Sequence, residues 1–390
     1  MEQQNPIFTK RFISLFLTNI SVFFVFYGLI TTLPLYAMGT LGRSDDESGL
    51  LITVFLLSAI VVRPFSGKLL DMYGKKRMLV SSIILYVACT VLYIFIKPFA
   101  ILLALRFFQG IWFSIVTTAT GSLAADIVPK NRTGAGIGYF MMSTNLAVVI
   151  GPFVGLLVIQ YASFNALISI LTVIVLLGAV IALTINTDDL PKPENVDRSF
   201  KFNDLFEKKA LPMAFLASLI AFSYASVLSF LSLYAEQKDL LEAASYFYVV
   251  FAATMLITRP FTGKIYDTKG AKYVVLPSFV LFCAGLVMLA AANGAGLFLF
   301  SAIFIGIGYG TLTTSFQSLC VQSTTHQRSG YATSTYFTLF DLGIAIGSYI
   351  LGLIAVGLSY EMVYYIAAAM LVVVFVIYSV LVMRKPRAQA

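Results

Sequence analysis

Twelve long runs of apolar residues constrain the fold of this 390-residue chain more than any other feature of its sequence. A run of 18 or more apolar residues can cross about 30 Å of hydrocarbon as a helix. Inside a bilayer every backbone N–H and C=O must be satisfied within the protein, so only helices and closed barrels can span it. We therefore predict twelve transmembrane helices, near residues 12–36, 49–70, 78–96, 99–123, 136–159, 165–184, 212–234, 243–265, 274–292, 296–321, 331–354 and 360–383.

The composition favours a membrane protein over a soluble one. Hydrophobic residues make up 59% of the chain, and charged residues make up only 11%. Soluble domains carry about 25% charged residues. The sequence thus predicts an all-α membrane protein whose surroundings are a lipid bilayer.

A motif that is repeated at an offset of 196 residues indicates two related halves. Residues 63–77 read RPFSGKLLDMYGKKR, and residues 259–272 read RPFTGKIYDTKGAK. A repeat of about half the chain length predicts two homologous structural units. We predict an N-terminal six-helix bundle over 1–184, a cytoplasmic linker over 185–211 and a C-terminal six-helix bundle over 212–390.

The basic residues are distributed unequally between the two sides of the membrane. Of the 26 Lys and Arg residues, 20 lie on the side of the termini, and only Arg43, Lys97 and Lys238 lie in loops on the other side. Because cytoplasmic loops carry the excess of Lys and Arg, we predict a multi-pass protein of the cell membrane with both termini in the cytoplasm. The acidic segment 45–47 is predicted to be an outer loop. Topology accounts for the net charge of +8, so we expect no nucleic-acid partner.

Few residues are available for enzyme or metal chemistry. His326 is the single histidine, and the three cysteines, Cys89, Cys283 and Cys320, form no CxxC pair. Metal sites and catalytic triads need such residues in groups. We therefore predict no enzymatic activity, no cofactor and no metal site.

The two copies of the repeated motif lie where predicted spans 2 and 8 reach the cytoplasm. Glycines allow tight turns and close helix packing, and a carboxylate can cap a helix N-terminus or pair with a nearby cation. We predict that these residues, with the charged ends of spans 4 and 10, form a cytoplasmic gate; its members are Gly67, Asp71, Gly74, Lys75, Asp126, Arg132, Gly263, Asp267, Gly270 and Arg328. Because only the first copy ends in Lys-Lys-Arg, we expect Asp71 to matter more than Asp267.

Charged residues inside the predicted spans are a second indication of function, because they are costly in hydrocarbon. Asp341 is the only acidic residue deep within a span, and desolvation there favours its neutral form. We predict that Asp341 carries a proton and that Arg106 in span 4 organises proton coupling, with a purely structural role as the alternative for each. Arg63 and Arg259 are predicted to snorkel to the cytoplasmic surface.

Two further groups of residues are candidates for conformational change and for substrate binding. Glycine and proline in span 5 are predicted to bend that helix: Gly138, Gly151, Pro152 and Gly155. Polar and aromatic residues at similar depth are predicted to line a substrate cavity: Asn19, Tyr27, Trp112, Asn145, Tyr224, Gln317 and Tyr336.

Three motifs resemble those of the major facilitator superfamily. Residues 67–77 look like its signature loop between spans 2 and 3, and residues 106–110 look like its span 4 motif, whose Arg is associated with proton coupling. Gly138, Gly151, Pro152 and Gly155 look like the span 5 motif of the twelve-span drug/proton antiporters. Ala147 and Leu156 depart from that motif, which has glycine at both positions.

The resemblance implies a secondary active transporter that works by alternating access. It implies proton-coupled efflux of amphipathic small molecules, with the substrate and protons as partners and a monomer as the functional form. Two alternatives remain open at this point. One is a dedicated exporter of a metabolite, sugar, metallophore or lipid; the other is a membrane sensor or scaffold that transports nothing.

Overall fold

Residues 6–187 and 205–384 of the chain are described by a computed structural model. They contain twelve α-helices, which confirms the predicted all-α fold with twelve helices, and no β-strand occurs in these two ranges. The helices are α1 (Lys10–Leu41), α2 (Asp45–Tyr73), α3 (Lys75–Leu92), α4 (Phe99–Ile127), α5 (Thr133–Tyr161), α6 (Phe164–Leu183), α7 (Leu211–Gln237), α8 (Leu241–Lys269), α9 (Lys272–Ala290), α10 (Ala295–Gln322), α11 (Ser329–Gly357) and α12 (Tyr360–Arg384).

Most helices are longer than the apolar runs that predicted them. Five of them, α2, α4, α5, α8 and α11, have 29 residues each, which corresponds to a length of about 43 Å. The hydrocarbon layer is about 30 Å thick. The additional turns therefore carry polar and charged side chains beyond the hydrocarbon at the helix ends.

The start of α2 corrects the sequence prediction for the acidic segment 45–47. These residues form the first turn of α2 and not a loop. The Ser44 hydroxyl accepts the Glu47 N–H at 3.3 Å, and the Glu47 carboxylate accepts the Ser44 N–H at 3.4 Å. This capping box satisfies two N–H groups at the helix start, and negative charge is favourable there because of the helix dipole.

Ten of the twelve helices are long and apolar enough to cross a membrane, among the residues that the structure describes. The helix α3 is not among the ten, because its 18 residues begin with Lys75, Lys76 and Arg77. Charge at its start thus lowers the apolar character of α3.

The helices group into two compact units. Unit 1 consists of Met1–Pro129, Phe140–Glu207 and Thr324–Thr335, and unit 2 consists of Lys130–Tyr139, Lys208–Ser323 and Tyr336–Ala390. The first turns of α5 therefore belong to unit 2, and those of α11 belong to unit 1. The boundaries 1–184 and 212–390 stay a prediction, and residues 188–204 of the predicted linker lie outside the described residues.

Aromatic side chains fill the interior of each unit. In unit 1 the Phe26 and Phe113 rings stack with centroids 4.8 Å apart, and Phe55 lies against both. In unit 2 the Tyr224 and Tyr309 rings stack at 3.7 Å. These clusters hold α1, α2 and α4 together in unit 1, and α7 and α10 together in unit 2, which fixes the helices that carry the buried polar residues.

Candidate functional site

The turn between α2 and α3 leads directly into a buried ion pair. Gly74 forms the turn with a φ of 88°, and Gly270 forms the equivalent turn after α8 with a φ of 94°; both conformations favour glycine. The Lys75 Nζ lies 2.6 Å from the Asp126 Oδ2, whose side chain is 1% exposed. Lys75 also donates to the Ser329 hydroxyl at 2.6 Å, which donates to the Asp126 Oδ1 at 2.7 Å. The structure thus joins Lys75 and Asp126 to the first residue of α11.

Asp71 lies on the last turn of α2 and interacts with the first turn of α11. A side-chain hydrogen bond joins Asp71 to Tyr331. Burial raises the pKa of Asp71 above its usual value, although the positive charges of Lys75 and Arg328 act in the opposite direction. A Cβ at Gly67 would lie 3.0 Å from the Tyr331 Cα, so glycine is needed for this approach of α2 to α11. The predicted gate residues Gly67 and Asp71 therefore meet α11, all within unit 1.

Asp267 has a different role from its counterpart Asp71, because it caps the N-terminus of α5 within unit 2. Its Oδ1 accepts the Gly134 N–H at 2.7 Å, and its Oδ2 accepts the Ala135 N–H at 2.9 Å. First-turn N–H groups have no partner within their own helix, and the helix dipole favours a carboxylate beside them. A Cβ at Gly263 would lie 2.7 Å from the Ala135 Cα, so this packing also depends on glycine.

The two repeat-related arginines, Arg132 and Arg328, have different partners. Arg132 lies in a short 3-10 turn before α5 and interacts electrostatically with Asp267. The Arg328 Nε lies 2.5 Å from the Glu207 Oε2, and its guanidinium lies over the Tyr331 ring at 4.5 Å. Burial by itself lowers the pKa of Arg328, but the hydrogen bond and charge of Glu207 outweigh it and raise this pKa above its usual value.

Glu207 is a polar site that the sequence reasoning missed. Its side chain is 6% exposed, and its backbone N–H donates to the Thr335 hydroxyl at 2.9 Å. The sequence feature that could have indicated this site is a single acidic residue just before Lys208, Lys209 and the start of α7. The structure shows that Glu207 ties the segment before α7 to the first turns of α11.

Arg106 on α4 is completely buried within a hydrogen-bonded network of unit 1. Its Nε donates to the Leu51 carbonyl at 3.0 Å, and its Nη1 donates to the Gln109 Oε1 at 2.9 Å. The Tyr93 hydroxyl donates to the same oxygen at 2.7 Å, and the guanidinium lies 4.3 Å from the centroid of the Phe55 ring. Gln109 could have been found from the sequence, because residues three apart share a helix face.

Asp341 on α11 belongs to unit 2, whereas the network of Arg106 belongs to unit 1. Asp341 is half-buried and close enough to Tyr336 to act on it electrostatically. The partners that hold Arg106 are neutral side chains and a carbonyl. The assignment of both residues to proton coupling therefore stays a prediction, with each residue in its own polar environment.

The repeat-related Arg63 and Arg259 are buried, which shows that the prediction of snorkelling is wrong. They are 4% and 3% exposed. The Arg63 Nη1 donates to the Thr117 hydroxyl of α4 at 3.2 Å. The Arg259 Nη1 donates to the Gly310 carbonyl at 2.6 Å and to the Thr314 hydroxyl of α10. Acceptors on the neighbouring helix thus hold the Nη1 group of each arginine inside the protein.

The predicted bend residues of α5 divide between two environments. Gly151 and Gly155 face α1, because a Cβ at each would lie 3.0 Å from the Tyr27 Cβ and 2.9 Å from the Thr32 Cγ2, respectively. Gly138 lies in unit 2, beside the Arg259 side chain. Pro152 lies within the continuous helix. Close packing of α5 on α1 therefore accounts for two of the glycines, and the bend stays a prediction.

The predicted cavity residues are also divided, with Asn19, Tyr27, Trp112 and Asn145 in unit 1 and the others in unit 2. Asn19 joins three helices, because its Nδ2 donates to Ser143 at 2.8 Å and its Oδ1 accepts from Thr120 at 2.8 Å.

The Asn145 Nδ2 is a buried amide nitrogen of unit 1 without a hydrogen-bond partner in the described structure. In unit 2 the Gln317 Oε1 is likewise buried and without such a partner, and Tyr336 donates to the Thr313 carbonyl at 2.9 Å. Tyr224 forms the ring stack described above. An unsatisfied buried polar atom calls for a partner, and among the predicted cavity residues Asn145 and Gln317 each have one; the substrate cavity itself stays a prediction.

Residues 15–348, and residues 241–390 in a second match, fit the family model of the Major Facilitator Superfamily. The chain belongs to this superfamily. It is therefore a multi-pass membrane transporter and not an enzyme, and the resemblance seen in its motifs is confirmed. Members of this superfamily bind small-molecule substrates, so the prediction of a small-molecule substrate is confirmed as a class.

Two relatives illustrate how similar this facilitator is to known sequences. An uncharacterized MFS-type transporter of Methanocaldococcus jannaschii is 27% identical over 376 residues, which cover 93% of this chain and 97% of the relative. The quinolone resistance protein NorA of Staphylococcus aureus is 29% identical over 144 residues, which cover 36% of this chain and 37% of NorA.

Solved structures with low sequence identity share the fold of this facilitator. The human organic anion transporter MFSD10 aligns with a TM-score of 0.79 at 13% identity, covering 96% of this chain and 99% of that protein. The Escherichia coli fucose:proton symporter FucP aligns with a TM-score of 0.76 at 15% identity, covering 97% and 98%. At these identities the similarity concerns the fold alone.

Proposed function

We propose that this transporter exports amphipathic small molecules in exchange for protons, by alternating access. The observation that carries the proposal is a pair of polar clusters at the predicted cytoplasmic helix ends. In one cluster Lys75 and Asp126 bind Ser329 at the start of α11; in the other, Asp267 binds the Gly134 and Ala135 amides at the start of α5. Each cluster joins one half of the sequence to the first turn of a helix from the other half.

Such clusters suit a gate that opens and closes. Their hydrogen bonds are directional and lost within a small displacement, and water can replace them when the cytoplasmic side opens. The glycines at positions 67 and 263 allow the helices to pack closely in the closed arrangement. Opening would release α11 from Asp71 and Asp126, and α5 from Asp267.

Asp341 is our candidate for the proton carrier. It is the only acidic residue deep within a predicted span, and a carboxylate at that depth is costly unless it is paired, hydrated or protonated. Proton release to the cytoplasm and proton uptake from outside would then alternate with the opening of each side. Arg106 supports this cycle by holding α2, α3 and α4 together around a fixed positive charge.

The direction of transport is supported by the partial similarity to NorA, a quinolone resistance protein. Export of an amphipathic compound against its gradient needs an energy source, and the predicted spans offer a titratable carboxyl group for proton coupling. A narrow substrate range in transport assays would instead favour a dedicated exporter of one metabolite, sugar, metallophore or lipid.

The orientation of the protein is part of the same proposal. Unit 2 places the end of α7 beside the start of α12 through an ion pair between Lys238 and Glu361 at 2.8 Å. The predicted topology puts this pair outside the cell and puts both termini inside, in a monomer. Impermeant cysteine labelling of intact cells tests this arrangement, with residues near Lys238 expected to react and residues near Lys75 expected to be protected.

Transport in inverted vesicles tests the coupling. With an imposed pH gradient, the wild type should accumulate a fluorescent amphiphile such as dansyl-aminoundecanoic acid, and Asp341→Asn should abolish this uphill accumulation while retaining downhill exchange. Asp341→Glu keeps a titratable group and serves as the matched control that restores part of the accumulation. If Asp341→Asn accumulates the dye as the wild type does, proton coupling does not run through this residue.

A further inference from the structure

Arg259 of α8 has a buried guanidinium group with one side fixed and the other unused. Its Nη1 is held by the Gly310 carbonyl and the Thr314 hydroxyl. Its Nε is buried and has no hydrogen-bond partner among the described residues. The residue as a whole is 3% exposed, so bulk water has little access to this group.

A small pocket in unit 2 opens beside this guanidinium. The Thr262 and Ser315 side chains line it together with Arg259, and Gly138 and Gly263 form part of its wall. A Cβ at Gly138 would meet only the Arg259 Cδ, at 3.8 Å. The space beside the arginine therefore exists because α5 has no side chain at position 138.

The positive charge of Arg259 has no acidic partner in the part of the chain that the structure describes, since no salt bridge includes it. Asp267, two turns further along α8, binds the amides at the start of α5. A buried cation without a counter-ion is strongly disfavoured. An anion in the pocket would supply both the missing charge and acceptors for the unused donors.

We propose that this pocket binds the carboxylate group of an amphipathic organic anion that the protein transports. The Nε and Nη2 donors on one edge of a guanidinium match the two oxygens of a carboxylate, and Nη1 is already anchored so that this edge is oriented. The Ser315 hydroxyl can donate a further hydrogen bond from α10. The inference rests on the proposed transport function and specifies the substrate class.

The surroundings of the pocket also suit the apolar part of such a molecule. Tyr309 is close enough to Arg259 to interact with it electrostatically, and its ring stacks on Tyr224 and lies near Phe251 in the same unit. Arg259 lies ten residues before the end of α8 at Lys269, which corresponds to about 15 Å along the helix axis. The bound carboxylate would thus lie within the predicted membrane-embedded part of unit 2, where burial of an apolar tail is favourable.

Binding of three matched fluorescent probes to the purified full-length protein tests the inference. The probes are dansyl-aminoundecanoic acid, its neutral primary amide and the corresponding dansyl-alkylamine, measured in nanodiscs of phosphatidylcholine. The wild type should bind the acid about tenfold or more tightly than the amide, because hydrogen bonds to a charged group are lost with the amide. The amine should bind no better than the amide.

Two variants separate the charge of Arg259 from the shape of the pocket. Arg259→Gln should remove the preference for the acid. Gly138→Val leaves the arginine in place but fills the space beside it, so it should weaken binding of the acid by about tenfold even if Arg259→Gln proves too unstable to purify. Glu242→Gln on the same helix is the matched control and should bind as the wild type does.

Equal binding of the three probes by the wild type would overturn the inference, as would an unchanged preference for the acid in both pocket variants. Loss of acid binding in nanodiscs that contain phosphatidylglycerol would assign the pocket to a lipid headgroup and would also overturn it. These binding results do not depend on flux. Selective binding of the acid without pH-driven transport would refute the proposed function and support the anion pocket. Transport without preference for the acid would support the proposed function and refute the anion pocket.

Discussion

The cap that Asp267 provides for α5 allows a quantitative test of the gate. Asp267→Asn keeps the size of the side chain but replaces one acceptor oxygen by an NH2 group, which must face either the Gly134 or the Ala135 N–H. One of two charge-assisted hydrogen bonds, at 2.7 and 2.9 Å, is thereby lost, together with the favourable charge at the helix N-terminus.

The expected cost follows from the strength of these interactions. A hydrogen bond to a charged group contributes about 1.5–3 kcal/mol, and a charge at a helix terminus contributes about 0.3–1 kcal/mol. Asp267 is half-buried, so we take about 2 kcal/mol as the loss for the closed arrangement. If the open arrangement lacks this cap, its population relative to the closed one rises about thirtyfold.

Labelling of a cysteine in the pocket beneath the cap measures this shift. Thr262→Cys, in a background in which Cys89, Cys283 and Cys320 are replaced by serine, should react with an impermeant maleimide in inverted vesicles only when the start of α5 moves away. Asp267→Asn should raise the labelling rate about thirtyfold at most.

Glu242→Gln, at the other end of α8, is the matched control for removal of an acidic charge and should leave the rate unchanged. A wild-type labelling rate in Asp267→Asn would refute the reasoning, because the cap would then contribute nothing to closure. The sequence analysis expected Asp71 to matter more than Asp267. The present prediction gives Asp267 the larger effect, because Asp267 binds backbone amides at the start of a helix.

Three further predictions concern the polar contacts of unit 1. Asp126→Asn should destabilise the purified protein by about 3 kcal/mol, because it removes the negative charge of the buried ion pair with Lys75. A thermal melt measures this, and the double variant with Lys75→Gln should recover part of the loss. Glu207→Gln should cost less than about 1 kcal/mol, since Arg328 is 45% exposed; a decrease in melting temperature as large as that of Asp126→Asn would contradict this. Arg106→Lys should lower the melting temperature despite the retained charge, because an ammonium cannot reproduce both the Leu51 and Gln109 hydrogen bonds; an unchanged melt would show that the network is not stabilising.

The sequence alone determined the elements of the fold because the bilayer leaves few possibilities. A long apolar run must become a helix when no water is present to bind its backbone, so hydropathy predicted all twelve helices. The offset of 196 residues located the repeated motif and its glycines, and the glycine turns at positions 74 and 270 follow from local chain geometry. These features depend only on neighbouring residues and on the surroundings of the chain.

The partners of the polar residues were decided by the tertiary structure. The sequence indicated that the carboxylates of the repeated motif could cap a helix or pair with a nearby cation, but it could not show that Asp126 takes Lys75 or that Asp267 caps α5. Those choices depend on distances of a few ångströms between residues 51 and 133 positions apart in the chain. Periodicity gives the face on which a side chain lies, but not which helix packs against that face.

Arg63 and Arg259 show the same division between local and tertiary information. Their positions near the cytoplasmic ends suggested that they reach the water surface, because an isolated helix offers a cation no other polar surroundings. In the folded protein the hydroxyls of Thr117 and Thr314 and the Gly310 carbonyl supply internal acceptors. The sequence thus determined that charge lies in these helices, and the packing of α2 on α4 and of α8 on α10 decided that it is buried.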